Sequence, residues 1–138
     1  MLALVIFSIG LLGLATLQAT SLKQNHSAYM RTQATYLAYD ILDRMRANMD
    51  QVSGYDVGTG AFGAPVPLCN ATTDTCTESQ ITNADRYFWK ENLKTILPLG
   101  DGSIATSSIG GRTEVTINVF WDNDHSGTLI STEIRAEL

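Results

Sequence analysis

The sequence predicts an α+β fold: a very long N-terminal helix whose C-terminal half packs on a small antiparallel β-sheet. Two observations carry that reading. An apolar run over residues 1–17 leads into a stripe of Met30, Ala34, Leu37, Ile41, Met45, Met49 and Val52, spaced every three or four residues, with no proline before Pro65. Beyond Gly100 the period drops to two, where Val115, Ile117, Val119 and Trp121 alternate with Thr116, Asn118 and Phe120.

Residues 1–17 contain no charge, and Ser8 and Thr16 are their polar side chains. A secretory signal would need a basic leader, yet the first Lys or Arg is Lys23. A membrane helix needs roughly 20 apolar residues, so this run sits at the lower limit. A helix buried in a soluble domain would carry a polar face, and this one is apolar all round. One helix is expected over residues 2–53, roughly 75–80 Å long at 1.5 Å per residue, with Gly54 as its C-cap. Residues 1–20 are assigned to a membrane or filament core, carried by Leu4, Val5, Ile6, Phe7, Ile9, Leu11, Leu12 and Leu14. Residues 54–138 are assigned to a globular head.

Within the head, residues 54–68 hold four Gly and two Pro and read as irregular loop. Thr77 followed by Gln80 fits a capping box that opens a second helix, ending near Leu97 before Pro98 and Gly100. Ile81, Ala84, Phe88, Trp89, Leu93, Ile96 and Leu97 repeat at helical spacing, which makes Phe88 and Trp89 core residues. Gly110-Gly111 precedes the alternating strand and residues 122–127 follow it, so 103–109 and 129–138 are its expected antiparallel neighbours. A fourth strand would form if residues 55–57 also paired.

Net charge is −5, with nine Lys and Arg scattered along the chain, and no basic stripe exists to neutralise phosphates; nucleic acid is excluded as a partner. Cys69 and Cys76 lie seven apart, a spacing that fits one small disulfide loop in an oxidising compartment, against two free surface thiols in a cytosolic protein. No nucleophile–His–carboxylate set, phosphate loop or dinucleotide fingerprint supports an enzyme, and no cofactor is expected. One motif points to a metal. Asp122, Asp124, Ser126, Thr128 and Glu133 match the twelve-residue calcium pattern, with Gly127 at its sharp turn. The competing reading is a hairpin made of turn formers.

The segment MLALVIFSIGLLGLATLQATSLKQNHSAYMRTQATYLAYDILDRMRAN resembles the N-terminal helix of type IV pilus minor pilins of the PilV kind, above all in ALVIFSIGLLGLATLQ and AYDILDRMRAN. The block CTESQITNADRYFWKENLKTILPLGDGSI resembles that family's segment after the second cysteine. Together the two cover about half the chain. The resemblance implies an inner-membrane subunit with a periplasmic head, later carried to the cell surface in a pilus. It implies processing by prepilin peptidase, contact with the inner-membrane assembly machinery, and packing against other minor pilins and the major pilin through N-terminal helices. Its function would be to help initiate the pilus within a minor-pilin tip complex. Family members carry a basic leader and a G-F-T-L-x-E segment upstream of the apolar run, and Met1 lies inside that run. An upstream leader is therefore expected, as the positive-inside rule also asks. The alternatives are a minor pseudopilin of type II secretion, and a membrane-anchored periplasmic module that binds through calcium.

Overall fold

The computed structural model describes residues 2–65, 69 and 75–138, with side chains of the first helix described from Phe7 onward. Helix α1 (Leu2–Ala47) is followed by a 3₁₀ segment (Met49–Tyr55), helix α2 (Glu78–Ile96) and strands β1 (Asp101–Ile109), β2 (Arg112–Asp122) and β3 (Leu129–Glu137). The strands form one antiparallel sheet in the order β1-β2-β3. The α+β fold expected from the sequence is the fold observed.

Helix α1 stops six residues short of the expected end. Asn48 leaves helical geometry at φ −129° and ψ 57°, and the chain continues as a kinked 3₁₀ segment. The apolar stripe had pointed onward through Met49 and Val52. In the structure Met49 is exposed, and the kink turns Val52 and Tyr55 inward instead. Asn48 holds the bend by donating from its side chain to Glu78 O at 3.1 Å and Thr82 Oγ1 at 3.0 Å. Tertiary burial of two side chains has overridden one more turn of helix.

The capping box forms as the sequence asked. Gln80 N donates to Thr77 Oγ1, and Thr77 N donates to Gln80 Oε1 at 2.9 Å, so orphan donors at the start of α2 are satisfied reciprocally. Trp89, Leu93 and Leu97 are buried, whereas Phe88 is half-buried and Ile81 and Ile96 are exposed. The apolar stripe of α2 is thus narrower than its spacing implied.

Gly110 and Gly111 both adopt left-handed φ, 61° and 82°, between the paired Ile109 and Arg112. That is the two-residue hairpin turn with positive φ at both centres, which costs glycine nothing. Residues 55–57 add one antiparallel bridge, Val57 to Ile104, not a fourth strand.

The inner face of the sheet presents Ile104, Val115, Ile117, Val119 and Trp121, all buried against Ala34, Leu37, Ala38, Ile41, Leu42 and Met45 of α1 and against α2. Polar ties fix the layers. Trp89 Nε1 donates to Leu37 O at 2.9 Å, joining α2 to α1 across the core. Tyr55 donates its hydroxyl to Asp85 Oδ2 at 2.8 Å, and Arg44 donates to Asp85 Oδ1 at 2.9 Å and to Asp40. Burial, and then the bond to Asp85, push the Tyr55 phenol up to about 12. A raised phenol favours the neutral folded form, so this contribution is present below pH ~10 and fades as pH climbs towards 12.

Lys90 is 1% exposed. Its Nζ donates to Asp101 Oδ1 at 2.5 Å, Gly58 O at 2.7 Å and Gly102 O at 2.5 Å, which accounts for all three of its protons. Burial alone would raise the Asp101 carboxyl. The Lys90 bond, with N–H donors from Gly60 and Gly102, outweighs burial and holds the group below its usual range. Asp101→Ala leaves a buried ammonium without its counter-charge and should cost about 3 kcal/mol in denaturant unfolding. Lys90→Met, which removes the buried charge itself and leaves a partly exposed carboxylate that still accepts from the Gly60 and Gly102 N–H groups, should cost less. Equal losses from the two would contradict the role given to desolvation.

Candidate functional site

The head buries one face of α1 from Ala34 onward, with Met30 packed at its edge, and leaves the described helix before that exposed. Phe7, Ile9, Leu11, Leu12, Leu14, Leu17 and Leu22 are all more than half exposed, and they point to every side of the helix. Leu4, Val5 and Ile6 belong to the same predicted set and lie outside the described side chains. Each large apolar side chain is worth roughly 1.5–3 kcal/mol on burial from water, so this segment is built to be covered by something else. Among the described residues no helix is long and apolar enough to cross a membrane.

The two cysteines are bridged, with a Cα–Cα distance of 6.1 Å, which settles the choice between disulfide and free thiols. Cys76 sits directly before the Thr77 cap, so the bridge ties the approach loop to the first turn of α2. Residues 66–68 and 70–74 of that loop lie outside the described residues.

The 122–133 stretch is a β-hairpin, and its register sets Glu133 apart from the oxygens of the turn. Asp122 pairs with Leu129 across the hairpin, while Glu133 pairs with Asn118 further along the sheet. Four residues of strand separate Glu133 from Leu129, about 13 Å at 3.3 Å per residue. Glu133 bonds Arg135 Nε at 2.7 Å. Strand flanks hold the twelfth position away from the first, where helical flanks would fold it back. Asp122 itself accepts from the backbone N–H groups of Gly127 at 2.8 Å, Asp124 at 3.2 Å and Ser126 at 3.3 Å. Ser126 Oγ accepts from Thr128 N at 3.2 Å, and Ser126 N also donates to Asp124 Oδ1. These oxygens organise the turn. Among the described residues no group of three or more His, Cys, Asp or Glu is placed to hold a metal ion.

Several residues that matter were not singled out in the sequence. Lys90 stands one turn before Leu93 on the apolar line of α2, and a charge on that line is the one signal that would have flagged it. The exposed tyrosines Tyr29, Tyr36 and Tyr39 on the outer face of α1 gave no such signal, because aromatic residues on a helix usually mean core.

A family model described as Tt1218-like, type IV pilin Tt1218, matches residues 16–87. The chain belongs to this type IV pilin family. The matched stretch runs from the uncovered part of α1 through the disulfide loop into the first half of α2. Comparison with curated proteins and with solved structures finds no match. The family is structural, and its members assemble with other pilins into a pilus on the cell surface. The uncovered helix of this pilin is the surface such assembly would bury.

Two outcomes follow from the head geometry. Reducing Cys69–Cys76 releases a short loop and should lower stability by roughly 2–3 kcal/mol, read from denaturation with and without reductant; identical midpoints would show that the bridge constrains nothing. The Asp122 carboxyl is held below its usual range, first by the Gly127 N–H and then by its other backbone donors. A depressed carboxyl stabilises the fold above the unfolded value near 3.9 and loses that contribution as pH falls through its folded value. Asp122→Ala should therefore lower the melting temperature at pH 7, with the gap to wild type closing under strong acid. A pH-independent gap would rule out the charge-assisted turn.

Proposed function

We propose that this pilin is a minor pilin of the PilV kind that helps initiate pilus assembly within a tip complex of minor pilins. The observation that carries the reading is the division of α1: one continuous helix, apolar over residues 1–17 and exposed there from Phe7 on, whose later face is sealed from Ala34 by a disulfide-stapled head. The blocks AYDILDRMRAN and CTESQITNADRYFWKENLKTILPLGDGSI support the minor rather than the major role by resemblance.

The physical scheme is simple. Before assembly the apolar segment rests in the inner membrane, with the head in the periplasm and the leader removed by prepilin peptidase. Several such helices then leave lipid together and pack side by side. Bundle core replaces acyl chains, so apolar burial changes little and the transfer is set by packing and by interhelical polar contacts. Heads tied to their helices by the Trp89–Leu37 and Arg44–Asp85 bonds move as rigid bodies and choose neighbours by surface.

Deleting the gene should sharply reduce surface pili without lowering the amount of major pilin in the membrane, because initiation rather than supply is lost. Electron microscopy and twitching assays give the readout. Normal piliation and motility in the deletion strain would remove the initiation role.

A further inference from the structure

We propose that the free edge of β3 pairs with β3 of a second copy of this chain, antiparallel and centred on Ile134, so that two heads share one continuous sheet. The pairing uses the head rather than the exposed part of α1, and it does not depend on the initiation role proposed above.

The two edges of the sheet are built differently. On β1 the outward N–H groups are met within the chain. Gly102 N donates to Asp101 Oδ1 at 2.7 Å, Ile104 N to Val57 O at 2.9 Å and Thr106 N to Asp56 Oδ1 at 2.7 Å. β3 has no such cover. Leu138 exchanges both of its backbone bonds with Thr113, at 2.9 and 3.4 Å. By alternation Ala136, Ile134, Thr132 and Ile130 turn their backbone groups to β2, and Glu137, Arg135, Glu133, Ser131 and Leu129 turn theirs outward. Among the described residues none of these outward N–H groups has a partner. An unpaired row of this kind is a template for another strand.

Charges on an edge strand ordinarily keep other strands away, and here they select one register. With Ile134 opposite its own copy, Glu133 lies opposite Arg135 of the second copy, and Arg135 opposite Glu133. Within each chain Arg135 Nε already donates to Glu133 Oε1 at 2.7 Å, so the four groups alternate in sign around a square. Glu137 falls opposite Ser131 and keeps its own cation, Arg112, at 2.7 Å. On the inner face Ile134 meets Ile134, Ile130 meets Leu138 and Thr132 meets Ala136. Ile130, Ile134, Ala136 and Leu138 are partly buried at the margin of the core, and a second strand covers their open side. A shift of two residues sets Glu133 on Glu133 in one direction and Arg135 on Arg135 in the other, and like charges directly opposite destabilise a strand pair. The centred register also runs the whole length of β3.

A twofold axis between antiparallel strands stands normal to the sheet and reverses every direction in its plane. Helix α1 lies along the inner face, against the buried side chains of the sheet. The two copies of α1 therefore run antiparallel, and their N-terminal segments leave in opposite directions. The contact joins subunits that arrive from opposing sides, unlike the side-by-side packing of the assembly scheme above.

The test uses the full chain in detergent, where the native cysteines are bridged and an added thiol is the free one. Ile134→Cys should form a disulfide-linked dimer under mild oxidation, because directly opposed residues of a non-hydrogen-bonded pair have Cα atoms about 4.5 Å apart. Thr132→Cys, on the same face, would sit about 14 Å from its own copy and should give little dimer. Adding Glu133→Arg should lower the position-134 dimer roughly tenfold, and adding Arg135→Glu as well should restore it, since the exchanged charges alternate again. Equal dimer from positions 132 and 134, a yield indifferent to Glu133→Arg, or no recovery in the double exchange would each overturn the pairing. Spin labels on Ser21→Cys read the direction. Antiparallel helices hold the two labels roughly 50 Å apart, counting 1.5 Å per residue back from the buried stretch. A separation under about 25 Å would mean helices side by side and would overturn the opposed arrangement. Piliation of the deletion strain reads the initiation role separately, so either reading can fail without the other.

Discussion

Trp89 is the contact on which the rest of the head depends. Its indole N–H reaches across the core to the Leu37 carbonyl, and its ring lies on Gly102 at the start of β1. A Cβ at Gly102 would stand 2.5 Å from the ring and 2.9 Å from Asn118 O, so the sheet approaches α2 as closely as a glycine allows. One side chain therefore sets the spacing of both helices and the sheet. Beside it, Lys90 spends its three protons on the Gly58 and Gly102 carbonyls and on Asp101, which pins the loop after Val57 to the same point. Buried charge is weak evidence for stability in itself, but it penalises any arrangement that separates the partners. The head is specified here more tightly than apolar packing alone would do.

That rigidity matters because α1 serves two environments. From Ala34 to Met45 one face of it, Ala34, Leu37, Ala38, Ile41, Leu42 and Met45, is core with nearly no exposure, and before Met30 the helix belongs to whatever surrounds the head from outside. A helix of 46 residues transmits position along about 70 Å only if one end is clamped. Trp89 to Leu37 and Arg44 to Asp85 clamp it two turns apart, and Asn48 to Thr82 holds the residue just past its end. Displacing the uncovered segment then carries the head with it, which is the property a filament subunit needs.

Much of this was legible in the sequence, for reasons tied to particular residues. Periodicity placed both helices and the alternating strand, the Thr77–Gln80 pair placed a helix start, and Gly110-Gly111 placed a turn, because each reflects a local rule that tertiary structure did not overturn. The end of α1 was misplaced where tertiary burial of Val52 and Tyr55 outweighed local continuation. The calcium pattern meets a related limit. A spacing rule derived from helical flanks says nothing once the flanks are strands, and the register that puts Glu133 beside Asn118 is a property of the sheet. Lys90 with Asp101, and Tyr55 with Asp85, join residues 11 and 30 apart whose partnership no single-chain pattern announces.

The outer face of α1 shows the same limit from the opposite side. Ser, Thr and Tyr between residues 27 and 39 lower the apparent hydrophobicity, and the reading by composition ends the assembly segment near residue 20. Hydroxyls bonded to carbonyls one turn back no longer face solvent as donors, and Thr16 and Thr20 make the same bond to Leu12 and Thr16. A helix can thus remain outwardly apolar while its sequence turns polar. This arrangement suits a segment of a filament subunit that meets neighbouring helices, because threonine methyls allow close packing where long aliphatic side chains would be a liability in water.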